Sequence, residues 1–207
     1  MAPWNFYNAS GEQMIIDGGL HDILEDTTPQ LGGNLDMQAN LLVGNGGSTG
    51  IAISAAGEVT MAAQPAFMAR NATTITSVTG DGTAYVLVFS TEVFDQNADF
   101  DGTSTFTAPI TGRYRLSFRF MLADLADNHT EITVSIITSN GTSLGNFANG
   151  ITRAASNNKG FDGTLLVDMD ASDTATISTT VTNGSKVVDL SGQASDYRTN
   201  FSGELVA

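Results

Sequence analysis

Four groups of residues in this chain have types and spacings that could do chemistry. Gly141, Thr142, Ser143, Leu144 and Gly145 match G-x-S-x-G, the sharp turn that presents a serine nucleophile in one large class of hydrolases. That turn needs a strand before it, a helix after it, and an acid and a histidine later in the chain. Here NFANGITRAASNN follows, and both histidines, His21 and His129, precede Ser143, so the match predicts no nucleophile. Asn97, Asp99, Asp101 and Gly102 reproduce the first half of a calcium loop, but Ala108 stands where its closing bidentate carboxylate belongs. Asp99 and Asp101 are therefore weak cation candidates beside the plainer reading, a turn in which Asx side chains bond their own backbone. His129 has Asp124, Asp127 and Glu131 close in sequence, yet zinc requires further imidazole or thiolate ligands, and the chain has 2 His and no Cys. A hydrogen-bonded loop histidine is the expectation there. Arg113, Arg115 and Arg119 form the fourth group, and their spacing puts them on one face of a strand. They pair with carboxylates of a neighbouring strand, or they meet acidic loops of another protomer. None of the four groups supplies a nucleophile with its base, so no catalytic residue, cofactor or resident metal is expected.

The elements that position these residues can be read from periodicity. In GRYRLSFRFML, Tyr114, Leu116, Phe118, Phe120 and Leu122 alternate with Arg113, Arg115, Ser117 and Arg119, which predicts a strand with one buried face. Further strands are expected over 84–89, 131–138, 161–169, 174–182 and 200–206. No segment from Pro65 onward carries a helical stripe, and Gly, Asn and Asp recur between the apolar runs, so residues 65–207 read as an all-β domain. Phe67, Tyr114, Leu116, Phe118 and Phe120 are the expected head core.

Before Pro65 the text differs. Residues 1–64 hold Glu12, Asp17, Asp22, Glu25, Asp26, Asp36 and Glu58 but neither Lys nor Arg. These carboxylates cannot pair within the segment, so they are solvated or meet a basic partner. Residues 1–30 read as an arm in which Trp4, Phe6, Tyr7, Met14 and Ile15 are too few to bury one another and need a foreign surface. Residues 31–64 alternate in short pieces, with Leu31, Leu35, Met37, Ile51 and Ile53 as the inward positions, separated by Gly-Gly and Asn-Gly turns. Strands this short become stable by wrapping with copies of themselves, which predicts a small threefold stalk; a flexible Gly-rich linker is the other reading.

Formal charge bounds the partners. With 22 acidic against 8 basic residues the chain stands at −14, which excludes a surface that binds nucleic acid by neutralising phosphates. No run of about 18 apolar residues occurs, and the first residues lack a basic stretch followed by an apolar one, so no spanning helix, membrane partner or secretory signal is expected.

Two resemblances follow from specific text. PAFMAR (65–70), YVLVFSTEVFD (85–95), FDGTSTFTAPITGRYRLSF (100–118), LLVDMDASDTATIST (165–179) and FSGELV (201–206) together resemble the C1q-like globular head. The resemblance implies a ten-strand jelly roll of the tumour-necrosis-factor type, packed as a homotrimer, with first and last strands adjacent at its base. Some heads of this type hold calcium, which is what lends Asp99 and Asp101 any interest. LEDTTPQLGGNLDMQAN (24–40) resembles a segment found near the N-terminal part of bacteriophage virion proteins, tail fibres above all. No long repeat or collagen-like stretch separates the two, so the implied appendage is short.

The expectation is a non-enzymatic structural protein of the virion outer surface, assembled in the host cytoplasm. It would be a trimeric capsid decoration (cement) protein or short head fibre. Its arm would clamp the major capsid protein or another virion protein, while its head faces outward. The alternative is a short tail fibre that binds a host-surface glycan or protein. Paired carboxylates suffice for glycoside cleavage, but a head this short offers little room for the groove that reaction needs.

Overall fold

The computed structural model describes residues 6–7, 13–14, 42–43, 50–148 and 157–207. The chain divides into two compact units, Met1–Asn40 and Leu41–Ala207. In the first, β1 (Phe6–Tyr7) pairs antiparallel with β2 (Gln13–Met14), Phe6 opposite Met14. Trp4, Ile15, Leu31, Leu35 and Met37, and with them the boundary expected after residue 30, lie outside the described residues. The second unit begins with a three-stranded antiparallel sheet of β3 (Leu42–Val43), β4 (Gly50–Ile53) and β5 (Val59–Met61), and the expected stalk–head boundary at residues 64 and 65 falls within this unit.

From Ala66 the chain alternates between two larger sheets. The seven-stranded sheet holds β6 (Ala66–Arg70), β7 (Thr73–Thr79), β9 (Thr91–Asp95), β11 (Gly112–Ala123), β14 (Lys159–Met169), β16 (Val188–Gln193) and β17 (Asn200–Leu205). The five-stranded sheet holds β8 (Ala84–Val86), β10 (Phe106–Thr107), β12 (Glu131–Thr138), β13 (Gly141–Ala148) and β15 (Thr174–Thr182). In the first sheet β9, β6, β17, β11 and β14 lie side by side; in the second, β8 and β10 share an edge of β15, followed by β12 and β13. Two antiparallel sheets in this order make a jelly roll. All described regular elements are strands, and the head has the bulged β7–β16 pair beyond the ten expected.

Why the sheets face one another follows from alternation. Along β11, Tyr114, Leu116, Phe120 and Leu122 are buried while Arg113, Arg115 and Arg119 are exposed, because successive side chains point to opposite faces. The buried face meets an aromatic stack. Phe67 lies between Phe100 and Phe106 with ring centres 5.3 and 4.8 Å away, and meets Phe201 edge-on at 5.0 Å. Ring edge and ring face carry opposite partial charge, so these arrangements add to plain area burial. Gly203 makes the stack possible: a Cβ there would stand 2.6 Å from the Phe67 ring. Tyr114 closes the same end, donating its hydroxyl to the Ile110 carbonyl at 2.7 Å.

Phe118 departs from expectation. It points inward and packs on the core, but it is half-buried, because β13 and β14 are the edge strands of their sheets and the sandwich is open between them.

Candidate interaction surfaces

Ser143 sits in β13, opposite Ile136 of β12, in mid-ladder. A serine there lacks the strand–turn–helix setting that the G-x-S-x-G spelling requires, and no histidine bonds it among the described residues. His129 is buried at one end of the sandwich and holds a corner together. The Ala126 N–H donates to its Nδ1 at 2.9 Å, which places the ring proton on Nε2, 3.2 Å from the Ser185 carbonyl it bonds. Gly184 gives the ring its room, since a Cβ there would come within 2.1 Å of it. The histidine is thus the hydrogen-bonded loop residue expected, while His21 lies outside the described residues.

The half calcium loop resolves into two carboxylates with separate work. Asp101 accepts the N–H groups of Thr103, Ser104 and Thr105 at 2.8, 2.7 and 3.0 Å through one oxygen. Burial opposes its charge, but these donors outweigh burial and its pKa is lowered. Asp99 goes the other way: burial first, then the neighbouring Asp95, raise its pKa against a lowering bond from Asn97. Asp95 itself accepts the N–H groups of Asp99 and Phe100 at 3.1 and 2.9 Å. Among the described residues no three His, Asp or Glu side chains gather as a metal-binding group.

The arginine face lies on the outer side of the seven-stranded sheet. Arg115 donates to Glu204 of adjacent β17 at 2.8 Å, with both side chains about half exposed (52% and 53%). Arg113 and Arg119 stand in register with Asp168 and Asp162 of β14, on its other flank. For Arg115 the neighbouring-strand reading is therefore met within one chain. Beside this pair a concavity of about 240 Å³ is walled by Met68 and Phe94 and floored by Ser117 and Ser202.

Two further surfaces were not anticipated. Between the edge strands β13 and β14 lies a cleft of about 190 Å³ lined by the half-buried Phe118 and Leu165 and the buried Val134, Ile136 and Phe161. At the end of the head where β6 finishes and β17 begins, the half-exposed ring of Tyr197 lies 5.2 Å from the Arg70 guanidinium, beside the bidentate Arg198–Asp196 pair at 3.0 Å through Nε. Arg198 hydrogen bonding lowers the pKa of Asp196. A cleft composed by two strands distant in sequence leaves no local signal, and a lone tyrosine in DYRTN gives little.

The hairpin of β4 and β5 is the remaining candidate. Ile51 and Ile53, expected to face inward in a stalk, are exposed in the single chain, together with Val59 and Met61. Phe6, Tyr7 and Met14 fall in β1 and β2. No helix of the described residues is long and apolar enough to cross a membrane.

No family model matches the sequence, and no curated protein is similar to it. Solved structures do resemble the chain. The globular domain of the zebrafish complement 1qA protein is 18% identical, with 70% of this chain and 98% of that chain covered and a TM-score of 0.48. Eiger TNF from S. frugiperda is 12% identical, with 70% and 93% covered and a TM-score of 0.46. Murine APRIL is 10% identical, with 69% and 99% covered and a TM-score of 0.46.

Proposed function

We propose that this chain is a non-enzymatic structural protein of a bacteriophage virion. It works as a homotrimer that decorates the shell or forms a short head fibre, docked by its N-terminal residues with the jelly roll displayed. The observation that carries the reading is the polarity of the head. β6 and β17 are antiparallel neighbours, and the Leu205 N–H donates to the Pro65 carbonyl at 3.0 Å, so the chain enters and leaves the head at one end. Everything before Pro65 attaches there, including the 24–40 text that resembles a virion docking segment and seven carboxylates without a basic residue. The His129 corner and the Tyr197 loop lie at the opposite end, free to face outward.

In this reading Trp4, Phe6, Tyr7, Met14 and Ile15 bury apolar area on a capsid or other virion protein. Each anchor contributes modestly, at about 25 cal/mol per Å². Three tethered arms engage together, and a released arm rebinds at high effective concentration, so avidity exceeds any one contact.

The second reading, a short fibre that recognises a host-surface glycan, is favoured by Tyr197. A half-exposed aromatic ring flanked by arginine and carboxylate at the far end of the head suits the apolar face and hydroxyls of a sugar. Antibody to the head, applied to purified particles of the phage that encodes the chain, separates the two. Hundreds of copies on the shell support decoration, a few at the tail support the fibre, and absence from the particle overturns both. Light scattering should give three times the 21.6 kDa chain mass.

A further inference from the structure

We propose that the β4–β5 hairpin is an interface between copies of this chain, its apolar side covered by the same side of neighbouring copies. The register sets Ile51 opposite Met61 and Ile53 opposite Val59. Directly opposed residues share a face, so four large apolar side chains stand together on one side of the hairpin. They are 37%, 43%, 60% and 61% exposed for Ile51, Met61, Ile53 and Val59. Ala52 opposite Thr60 makes the other side small and mildly polar.

The hairpin is nevertheless a finished element. The Ser54 N–H donates to the Glu58 carbonyl at 2.9 Å, the Gly57 N–H to the Ser54 carbonyl at 3.0 Å, and the Ser54 hydroxyl oxygen accepts from the N–H groups of Ala56 and Glu58. Gly57 takes a left-handed φ of 91°, which glycine adopts without strain. Among the described residues the element has no cover. Strands of two, four and three residues cannot bury enough of their own surface to persist in water.

The chain's own jelly roll does not provide that cover. Gln64 ties the base of the hairpin to the head through its Nε2, which donates to the Leu205 carbonyl at 3.1 Å, and Asn97 Nδ2 donates to the Ala63 carbonyl at 3.0 Å. With the head so attached, the four side chains remain exposed. A second copy suits them on two counts. Glu58 is the single ionisable residue from Gly50 to Gln64, and its carboxylate is held at the turn by the Ser54 hydroxyl, so pairing hairpins buries no charge. The ties to the head also present every hairpin at the same place, so associated heads bring their hairpins together at high effective concentration. Closed symmetry then lets each face serve as knob and as hole. This inference rests on the self-association of the proposed function and is independent of any virion role.

The chain has no cysteine, so single replacements in the full chain report the interface directly. Val59→Cys places a thiol on the apolar side and Thr60→Cys on the other. A disulfide needs Cβ atoms about 4 Å apart. Under copper phenanthroline at micromolar protein, Val59→Cys should form linked pairs at least tenfold faster than Thr60→Cys. Ile53→Asp should raise the concentration at which the assembly dissociates at least tenfold, read by light scattering. Equal cross-linking in a chain that remains associated overturns the hairpin interface and leaves self-association standing. A Val59→Cys thiol that neither cross-links nor reacts with a soluble thiol reagent also overturns it, since the chain's first forty residues or another surface then covers the face. A chain monomeric at every concentration overturns both readings.

Discussion

Strand β11 and the β4–β5 hairpin carry the same alternation and meet opposite fates. In β11 the apolar set of Tyr114, Leu116, Phe120 and Leu122 is sealed by a second sheet, while in the hairpin Ile51, Ile53, Val59 and Met61 face outward. Period-two patterning therefore states a demand for cover without saying who supplies it. Within the head the five-stranded sheet answers that demand. At the hairpin nothing in the described chain does, and that difference is what points to other copies.

Truncation separates the two regions most sharply. Phe120 is wholly buried, its ring 5.2 Å from Phe161, and Phe120→Ala should cost about 3–5 kcal/mol in urea denaturation. Ile53→Ala should move the same midpoint by no more than about 0.5 kcal/mol in the dissociated chain, as exposed substitutions do. Equal losses would mean that the hairpin is covered by its own chain and the contrast is false.

Gly184→Ala tests the corner rather than the core. Its methyl must displace the His129 ring, which is anchored at both nitrogens, so a cost of about 1–3 kcal/mol is expected from overpacking. Thermal melts that match the parent protein would show that the ring is free to move.

A pH comparison sharpens the reading of the Asp99–Asp101 turn. Asp101 has a lowered pKa, so the stability it contributes is complete above the unfolded value of about 3.9 and is lost as pH falls through the lower folded value. Asp99 has a raised pKa, so its charge opposes folding at neutral pH and protonation relieves that opposition. Asp101→Asn should thus lower the melting temperature at pH 7 and Asp99→Asn should raise it slightly, with both differences shrinking toward pH 2.5. Variants that shift the same way would show that the two side chains share one role.

Arg115→Ala should have a small effect, below about 1 kcal/mol, because the Arg115–Glu204 pair is half solvated. A loss comparable to Phe120→Ala would place that face in a buried seam.

The sequence was legible where a strand faces two different environments. The strand expected over 131–138 is β12 and that over 174–182 is β15, residue for residue, and the Arg113–Leu122 alternation is β11. The strand expected to run to Phe89 ends at Val86; the Leu87 N–H still bonds the Ile177 carbonyl of β15 at the next register position, but the Phe89 N–H leaves β15 for the Thr103 carbonyl. Others had no contrast to read. β7 and β16 are bulged, with Ser77 at a φ of 55°, and β13 is a Gly- and Ser-bearing edge whose apolar Leu144 is exposed. The candidate sites divide the same way: Asp101 as its own backbone's partner was readable from local spacing, whereas the Phe118 cleft depends on β13 and β14 meeting across two sheets.

The flanking of β6 has a mechanical consequence. Any pull transmitted to the head from residues before Pro65 runs along the axis of β6. That strand is held on both sides, by five register pairs to β17 and four to β9. Antiparallel ladder bonds lie across the strand direction, so such a load stretches both ladders in shear and strains many bonds at once. A pull on Ala207 against Pro65 would instead open β17 from β6 one pair at a time, like a zip. The head is built to resist tugging through its root and to yield through its tail.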